Sequence, residues 1–235
     1  MKKKVVALMM VATMAASVNI TAFAAPAQTA PAATESTVSG EDVTYADVMK
    51  AVDEYYATEG SIATYASEVA TTPAAFNWGN VSTNGSGKLS PILAVKLSDP
   101  SATSMANSAI VSGTVTRKLG TPTFTITTQP ITMSGITGHL KSVEVYYYAS
   151  ADATELSSMT VKPNANDSNT ITFTLPKGAY GLSTSTTPTT SDGTALNNML
   201  KVKITTDIED KWYGNVVPDT MKNPTCFVAF NVTAN

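Results

Sequence analysis

Residues 170–175 read Thr-Ile-Thr-Phe-Thr-Leu, and this alternation of threonine with a large apolar residue decides the fold. Successive side chains of a β-strand point to opposite faces, so Ile171, Phe173 and Leu175 share one face and the threonines the other. Strict alternation of this kind predicts a half-buried strand. Threonine suits the outer face because its β-branched side chain favours strands while its hydroxyl stays in water.

The same period of two recurs along the chain after residue 73, with Gly, Pro, Asn and Asp between the segments. The other alternating segments are residues 93–97, 111–119, 124–126, 143–147, 159–161, 200–204 and 228–232. Seven or eight strands without intervening helices predict a mainly β fold, an antiparallel β-sandwich, with a β-barrel as the alternative. In its patterning, over residues 88–235, the chain resembles the immunoglobulin-like sandwiches of bacterial extracellular proteins.

The composition excludes several classes of protein. Threonine and serine number 37 and 22 of 235 residues, while only 14% of residues are charged, and the chain has one His, one Cys and one Arg. One chain therefore cannot assemble a zinc cluster, a disulfide framework or a Cys/His catalytic pair. A single arginine and an acidic net charge also exclude a nucleic-acid binder that relies on a basic groove.

The N-terminus has the three parts of a secretory signal peptide. Lys2, Lys3 and Lys4 precede an almost wholly apolar run over residues 5–18, and Ala22-Phe23-Ala24 supplies a small-x-small cleavage site. The apolar run is too short for a transmembrane helix. The segment resembles the signal peptides of Gram-positive bacteria. We therefore expect a secreted protein, free or held at the cell surface without covalent attachment, with no membrane span after cleavage.

Charge and periodicity divide the rest of the chain. Removal of residues 1–24 takes away three lysines and no acid, so the net charge falls from −3 to −6. Acidic residues concentrate before residue 73, where Thr44 and Asp47 resemble a capping box that starts one short helix and Ser61 starts a second. The predicted divisions are a signal peptide (1–24), a disordered Ala/Pro/Thr/Ser spacer (25–42), an acidic helical arm (43–72), a connector (73–87) and the β-sandwich (88–235).

Reactive side chains are few, and each has a plain structural explanation. His139 precedes a strand and no nucleophile motif accompanies it, so we expect a surface histidine and not a catalytic base. Cys226 has the parity of the apolar residues in the last strand, which predicts burial. Asp207, Glu209 and Asp210 form an acidic turn that could hold calcium. We predict no catalytic residue, no metal site and no cofactor, with calcium at this turn as the alternative.

Four aromatic residues form the candidate ligand platform. Tyr146 and Tyr148 lie two residues apart, so a strand places them on one face, beside Glu144. Trp78 and Trp212 lie in loops rich in polar residues and glycine. Exposed, flat aromatic side chains of this kind are typical of carbohydrate-binding modules. The competing interpretation is that the N-terminal helices or a long loop cover the two tyrosines.

These observations support three hypotheses about function. The first is a non-enzymatic structural or adhesive protein that self-associates, because signal, sandwich and hydroxyl-rich faces occur together without a catalytic motif. The second is a carbohydrate-binding module that uses the exposed Tyr and Trp side chains. The third, with least support, is an extracellular hydrolase with paired carboxylates. The predicted partners are accordingly a second copy of the chain, other cell-surface proteins or glycans, and not nucleic acid.

Overall fold

The computed structural model describes residues 43–59, 68–133 and 135–234. The predicted signal peptide, the predicted spacer and the second helix predicted from Ser61 lie outside the described residues. The division of the chain into these segments stays a prediction. The described residues belong to one compact unit, Asp42–Asn235.

The first helix, α1, comprises Tyr45–Glu59, and the predicted capping box starts it. The backbone N–H of Thr44 donates to Oδ2 of Asp47 at 2.8 Å, and the Thr44 hydroxyl donates to the same oxygen at 2.6 Å. In return the backbone N–H of Asp47 donates to the Thr44 hydroxyl at 3.3 Å. These bonds from Thr44 hold the pKa of Asp47 below its usual value. One face of α1 is buried, through Val48, Ala51, Val52 and Tyr55.

Thirteen strands follow among the described residues, together with two 3-10 turns and one further short helix. The strands are β1 Thr72–Ala74, β2 Ser86–Val95, β3 Ile110–Lys118, β4 Thr121–Thr128, β5 Ile131–Met133, β6 Ile136–Gly138, β7 Leu140–Tyr148, β8 Leu156–Val161, β9 Pro163–Asn164, β10 Asp167–Thr174, β11 Gly181–Ser183, β12 Asn198–Thr206 and β13 Thr225–Ala234. The 3-10 turns comprise Met105–Ala109 and Asp207–Asp210, and the short helix, α2, comprises Asp219–Lys222.

Nine strands form one antiparallel sheet in the order β8-β7-β12-β13-β2-β3-β4-β10-β9. Residues 87–95 of β2 lie along β13 with one register shift, whereas only its first residues, Ser86–Lys88, pair with β3. The sheet folds over at β2. One half contains β8, β7, β12 and β13, the other contains β3, β4, β10 and β9, and the two halves face each other across one core. The predicted antiparallel sandwich is confirmed, and the barrel alternative describes the same nearly closed sheet.

Inward-facing side chains from both halves form the main core. Phe124 of β4 stacks on Phe173 of β10 with ring centroids 5.2 Å apart. Phe124 also makes an edge-to-face contact with Phe230 of β13, with ring centroids 5.8 Å apart. Aromatic pairs in such arrangements stabilise a core beyond the area that they bury. Cys226 is fully buried in this core, as its parity predicted.

Threonines line the outer face of the half that contains β4 and β10, as the alternation predicted. The hydroxyls of Thr123 and Thr174 lie 2.8 Å apart across β4 and β10, and those of Thr125 and Thr172 lie 3.3 Å apart. This hydroxyl face therefore forms hydrogen bonds between strands as well as with water.

The central strands β12 and β13 depart from the expected pattern of one apolar and one polar face. Met199, Phe227 and Ala229 are buried on the side away from the main core, where they pack with Leu182 of β11 and with Leu196. The chain between β11 and β12 crosses this side of the sheet and excludes water from it. Strands covered on both faces show continuous apolar runs instead of alternation, as residues 226–230 do.

Candidate functional site

An apolar cavity of about 40 Å³ lies between the two halves of the sandwich at one end. We call it the end pocket. Aliphatic side chains from both halves dominate its lining, which comprises Ala109, Ile110, Ile126, Thr128, Gln129, Ile131, Gly138, Leu140, Val143, Ile171, Val202, Ile204, Thr206 and Val228. Ile110, Thr128, Gln129 and Leu140 retain solvent exposure, so they mark the mouth of the pocket. The cavity holds roughly three water-sized groups.

The short hairpin of β5 and β6 forms the roof of the end pocket. Ile131 and Gly138 are paired across this hairpin and both line the pocket. Ile136, at the other end of β6, packs instead into a separate apolar cluster outside the pocket. The hairpin is therefore a thin partition with apolar contacts on both sides. The sequence analysis did not predict it, because three-residue strands give too few positions for a period to show.

A second apolar cluster covers the roof from outside, and we call it the cap. It consists of the buried face of α1 and of residues 207–222, the cap loop, packed against Ile136 of the roof. Its buried side chains from α1 and the cap loop are Val48, Ala51, Val52, Tyr55, Ile208, Tyr213, Val217 and Met221. Helix α1, the described helix of the predicted acidic arm, thus packs on the sandwich of its own chain. Its apolar stripe, which is too short to be stable alone, is stabilised by this burial.

Polar contacts attach the cap loop to the end of the sheet. The backbone N–H of His139 donates to Oδ1 of Asp207 at 2.7 Å, and the His139 ring Nδ1 lies 3.2 Å from Oδ2. Lys141 lies 3.0 Å from carboxylate oxygens of both Glu209 and Asp210, and these bonds raise its pKa. His139 is more than half exposed, as expected of a surface histidine.

The acidic turn thus binds a lysine and a histidine of its own chain. Among the described residues, no three His, Cys, Asp or Glu side chains come together as a metal site. The calcium alternative has no support in this part of the chain. The carboxylates of the turn instead hold the cap loop against β7.

The end pocket has few polar side chains, and each of them donates a hydrogen bond to a backbone carbonyl. The Thr128 hydroxyl donates to the carbonyl of Asn169 at 2.8 Å, and the Thr206 hydroxyl donates to the carbonyl of Lys222 at 2.7 Å. At the mouth, Nε2 of Gln129 donates to the carbonyl of Ser108 at 2.7 Å. None of the described residues that line the pocket carries a charged side chain. The site is therefore suited to an uncharged ligand.

Tyr146 and Tyr148 lie on the same face of β7, but their environments differ. The Tyr146 hydroxyl donates to Glu144 at 2.7 Å, and burial followed by this bond raises the pKa of Tyr146 to about 12. Hydrogen bonds from Tyr146 and Ser158 hold the pKa of Glu144 below its usual value. Tyr148 is buried, and its hydroxyl donates to the carbonyl of Thr71 at 2.9 Å. The segment around Thr71 thus covers Tyr148.

The two tryptophans lie on separate parts of the molecule. Trp78 packs on Phe76 and on Phe124 of the main core, and the guanidinium of Arg117 lies 4.7 Å from the centre of its ring. Trp212 belongs to the cap loop, where it meets Tyr213 edge-on and is half exposed. The structure does not bring the four residues of the candidate platform together on one surface. A ligand role for any of them stays a prediction.

Sequence reasoning missed the end pocket entirely. Its lining comes from strands on both halves of the sheet, and each aliphatic residue there looks like an ordinary core residue in the sequence. The nearest usable signal is the pair Thr128-Gln129, where the alternation of β4 ends in two polar residues. Nothing in the sequence shows that these residues stand at the mouth of a cavity.

No protein-family model and no curated protein matches the chain. Two similar solved structures are of one domain, the NEAT5 domain of IsdX2, a hemophore of B. anthracis, in complex with heme. A mutant of this domain with heme has 14% identity and a TM-score of 0.34, covering 65% of this chain and 97% of its own. The other structure has 13% identity and a TM-score of 0.32, covering 65% and 98%. At these TM-scores the likeness assigns no ligand to this chain.

One prediction is corrected by this comparison. The expected partners were a second copy of the chain, other cell-surface proteins or glycans, whereas both similar structures are of a domain in complex with heme. We therefore do not retain those partners. None of the helices that the structure describes combines the length and the apolarity needed to cross a bilayer.

Heme itself does not fit the end pocket. Heme iron needs an axial ligand such as His, Tyr, Cys or Met, and no such residue occurs in the described lining. The cavity of about 40 Å³ is also much smaller than the apolar cavity of ~150 Å³ that accepts benzene or xenon.

Proposed function

We propose that the chain is an extracellular, non-enzymatic binding protein whose end pocket holds a small, uncharged apolar molecule or the apolar end of a larger one. The observation that supports this function is the end pocket itself, a cavity lined by aliphatic side chains with a polar mouth. A concave apolar site with a few polar groups is the usual form of a small-molecule site. The extracellular location rests on the predicted signal peptide.

The energetics favour a ligand in this cavity. Protein interiors are normally packed as closely as organic crystals, so an unfilled space lowers stability. At about 24 cal/mol per Å³, a cavity of this size costs roughly 1 kcal/mol. A ligand that fills it regains contacts with aliphatic side chains from both halves. At five times its dissociation constant, a ligand that binds only the folded chain should stabilise it by about 1 kcal/mol.

The test is a titration of the purified chain with 1-butanol, followed by NMR of its methyl groups. We expect saturable shifts at Ile126, Ile171 and Val202, which line the pocket. The cavity has about a quarter of the volume that holds a benzene ring, so it takes about two carbon atoms of the probe. Their burial at about 0.8 kcal/mol each corresponds to a dissociation constant on the order of 0.1 M. Shifts that do not saturate, or that avoid the lining residues, would contradict the proposal.

A substitution that fills the cavity provides the decisive variant. Ala109 lines the pocket and is almost fully buried, so Ala109→Leu places additional atoms in the cavity. We expect this variant to fold, as judged by its NMR spectrum, and to lose the saturable shifts. The matched control is Ala46→Leu on the exposed side of α1, which should bind 1-butanol normally. Equal binding by both variants would show that the probe binds elsewhere.

A further inference from the structure

We propose that the turn between β3 and β4 attaches the protein to an anionic lipid surface. In this arrangement the side chain of Leu119 inserts among the lipids, and the lysines around the turn contact the head groups. The attachment does not depend on the end pocket, because β4 begins at the turn and ends at Thr128, which lines the pocket. Three observations carry the proposal, namely the exposure of Leu119, the strained backbone that presents it and the excess of positive charge around it.

Leu119 is the most exposed large apolar residue in the part of the chain that the structure describes. Its exposed fraction is 76%, compared with 54% for Val111 and 50% for Trp212. A single exposed apolar side chain needs no explanation on its own. Leu119 differs from an ordinary surface residue because its backbone is strained, and burial of its side chain does not offset that strain.

The backbone of the turn is one that leucine rarely adopts. Lys118 and Thr121 are paired across the hairpin, so Leu119 and Gly120 form a two-residue turn. Their φ angles are +50° and +84°, and Leu119 is the one non-glycine residue with positive φ between residues 43 and 234, as far as the structure describes them. Such a turn usually has asparagine or glycine at its first position. A bulky residue there is an outlier of the kind that indicates function.

Two hydrogen bonds to the loop before β2 hold the turn in this conformation. The backbone N–H of Leu119 donates to Oδ1 of Asn84 at 2.8 Å, and that of Gly120 donates to the carbonyl of Thr83 at 3.0 Å. These bonds fix the backbone and leave the leucine side chain in solvent. A side chain presented by a fixed backbone loses little conformational freedom when it binds.

Positive charge surrounds the turn. Lys118 precedes it, and Lys177 lies in the loop after β10, which is held beside β4 by a bond of 3.1 Å from the Leu175 N–H to the Pro122 carbonyl. Three segments meet at this end of the sheet, and together they contain four basic residues and no acidic one, namely residues 79–90, 114–124 and 172–180. The net charge of the chain is −3, so this end is the part that an anionic surface attracts.

The combination of an apolar side chain with lysines favours a lipid surface over a protein. Insertion of an apolar group and attraction of basic residues to anionic head groups are the two contributions that hold proteins at a membrane surface. A two-residue turn is convex, so it fits a fluid surface that closes around a projecting side chain. The small area predicts weak and reversible attachment.

The first experiment is sedimentation of the purified chain with lipid vesicles. We expect binding to vesicles of equal parts phosphatidylglycerol and phosphatidylcholine, and binding at least tenfold weaker to phosphatidylcholine alone. In 1 M salt, where the Debye length falls to about 3 Å, binding to the anionic vesicles should also weaken at least tenfold. Failure to bind the anionic vesicles, or equal binding to both kinds, would overturn the proposal.

Leu119→Asn separates attachment from folding. Asparagine is favoured at this position of the turn, so we expect the variant to unfold at a higher urea concentration than the parent chain. The same variant should bind the anionic vesicles about tenfold more weakly, because the apolar side chain is lost. The matched control is Val111→Thr, which removes another exposed apolar side chain at the opposite end of β3 and should bind normally. Equal binding by Leu119→Asn and the parent chain would overturn the role of Leu119.

A second pair of variants tests the charge. We expect Lys118→Gln to weaken binding to the anionic vesicles about fivefold, the usual effect of one lysine at such a surface. Lys162→Gln, at an exposed site that follows β8 at the end of the end pocket, should have no effect. An equal loss in both variants would show that net charge alone causes binding and would contradict the proposal.

Two further measurements separate the possible ligands and sites. Glycerol phosphate or an acidic peptide that displaced the chain from the vesicles would show that a soluble anion occupies the turn, which would overturn the lipid assignment. Ala109→Leu, which fills the end pocket, should bind vesicles as the parent chain does. Loss of vesicle binding in that variant would contradict the independence of the two sites, whereas its loss of 1-butanol binding concerns the proposed function alone.

Discussion

At the scale of single residues, Gly138 determines how closely the cap approaches the sandwich. A Cβ atom at this position would lie 2.8 Å from Cδ1 of Ile208 and 3.3 Å from Cβ of Thr206. Real Cβ atoms do not come as close as the first of these distances, so the absence of a side chain permits the contact. The roof of the end pocket is thin because this residue is a glycine.

We expect Gly138→Ala to lower the free energy of unfolding by about 1–3 kcal/mol, the usual effect of overpacking a core. The clash is with the terminal carbon of Ile208, which valine lacks. In an Ile208→Val background the same substitution should therefore cost less, although Ile208→Val alone costs about 1 kcal/mol. Urea unfolding of the four proteins measures the coupling. Simple addition of the two effects would show that the contact does not limit this site.

Tyr146 gives a prediction about alkaline pH. Its pKa is raised from 10.0 to about 12, first by burial and then by its bond to Glu144. The neutral phenol thus contributes stability that is fully present below pH 10 and is lost as the pH rises through 12. We expect Glu144→Gln, which removes the charge and keeps the shape, to lower the pKa of Tyr146. Ultraviolet titration of tyrosinate, with Tyr146→Phe identifying the signal, measures it; an unchanged pKa would show that Glu144 does not contribute to the raised pKa.

At the scale of elements, α1 depends on both its cap residue and its buried face. The helix has 15 residues, a length at which helices are marginal in water without tertiary contacts. Its N-terminus is satisfied by Thr44 and Asp47, and its apolar stripe packs against the cap loop. The sequence predicted the first residues of α1 and its apolar stripe, because both depend only on residues close together in the chain. It did not predict the surface on which the stripe packs, since residues 207–222 are distant in the chain.

Loss of the helix cap should destabilise this element measurably. We expect Thr44→Ala to lower the free energy of unfolding by about 1 kcal/mol, because the hydroxyl that accepts from the Asp47 N–H is removed. Thr44→Ser keeps that hydroxyl and should be close to the parent chain. Urea unfolding followed by circular dichroism compares the three proteins. Equal stability of the alanine and serine variants would show that the cap contributes nothing to the whole unit.

At the scale of the whole molecule, the alternation of residues 170–175 and its counterparts predicted most of the fold. The position of a strand depends on the residues within it, and the alternation of apolar and polar residues shows it directly. The exceptions are the strands β12 and β13, whose second face is covered by the chain between β11 and β12. The end pocket could not be predicted in this way, since its lining is assembled from both halves. A cavity depends on how well side chains from distant strands fill a space, and sequence patterns do not record such a fit.

The hydroxyl face has a consequence for how the protein meets its solvent. Thr123, Thr125, Thr172 and Thr174 carry groups that do not ionise between the acidic and alkaline limits of protein stability. Carboxylates and ammonium groups change their hydration with pH and ionic strength, whereas a hydroxyl keeps the same water shell. A medium that becomes acidic or saline therefore leaves this face wetted in the same way. Such variation is expected of the medium outside a cell, where the predicted signal peptide would place the chain.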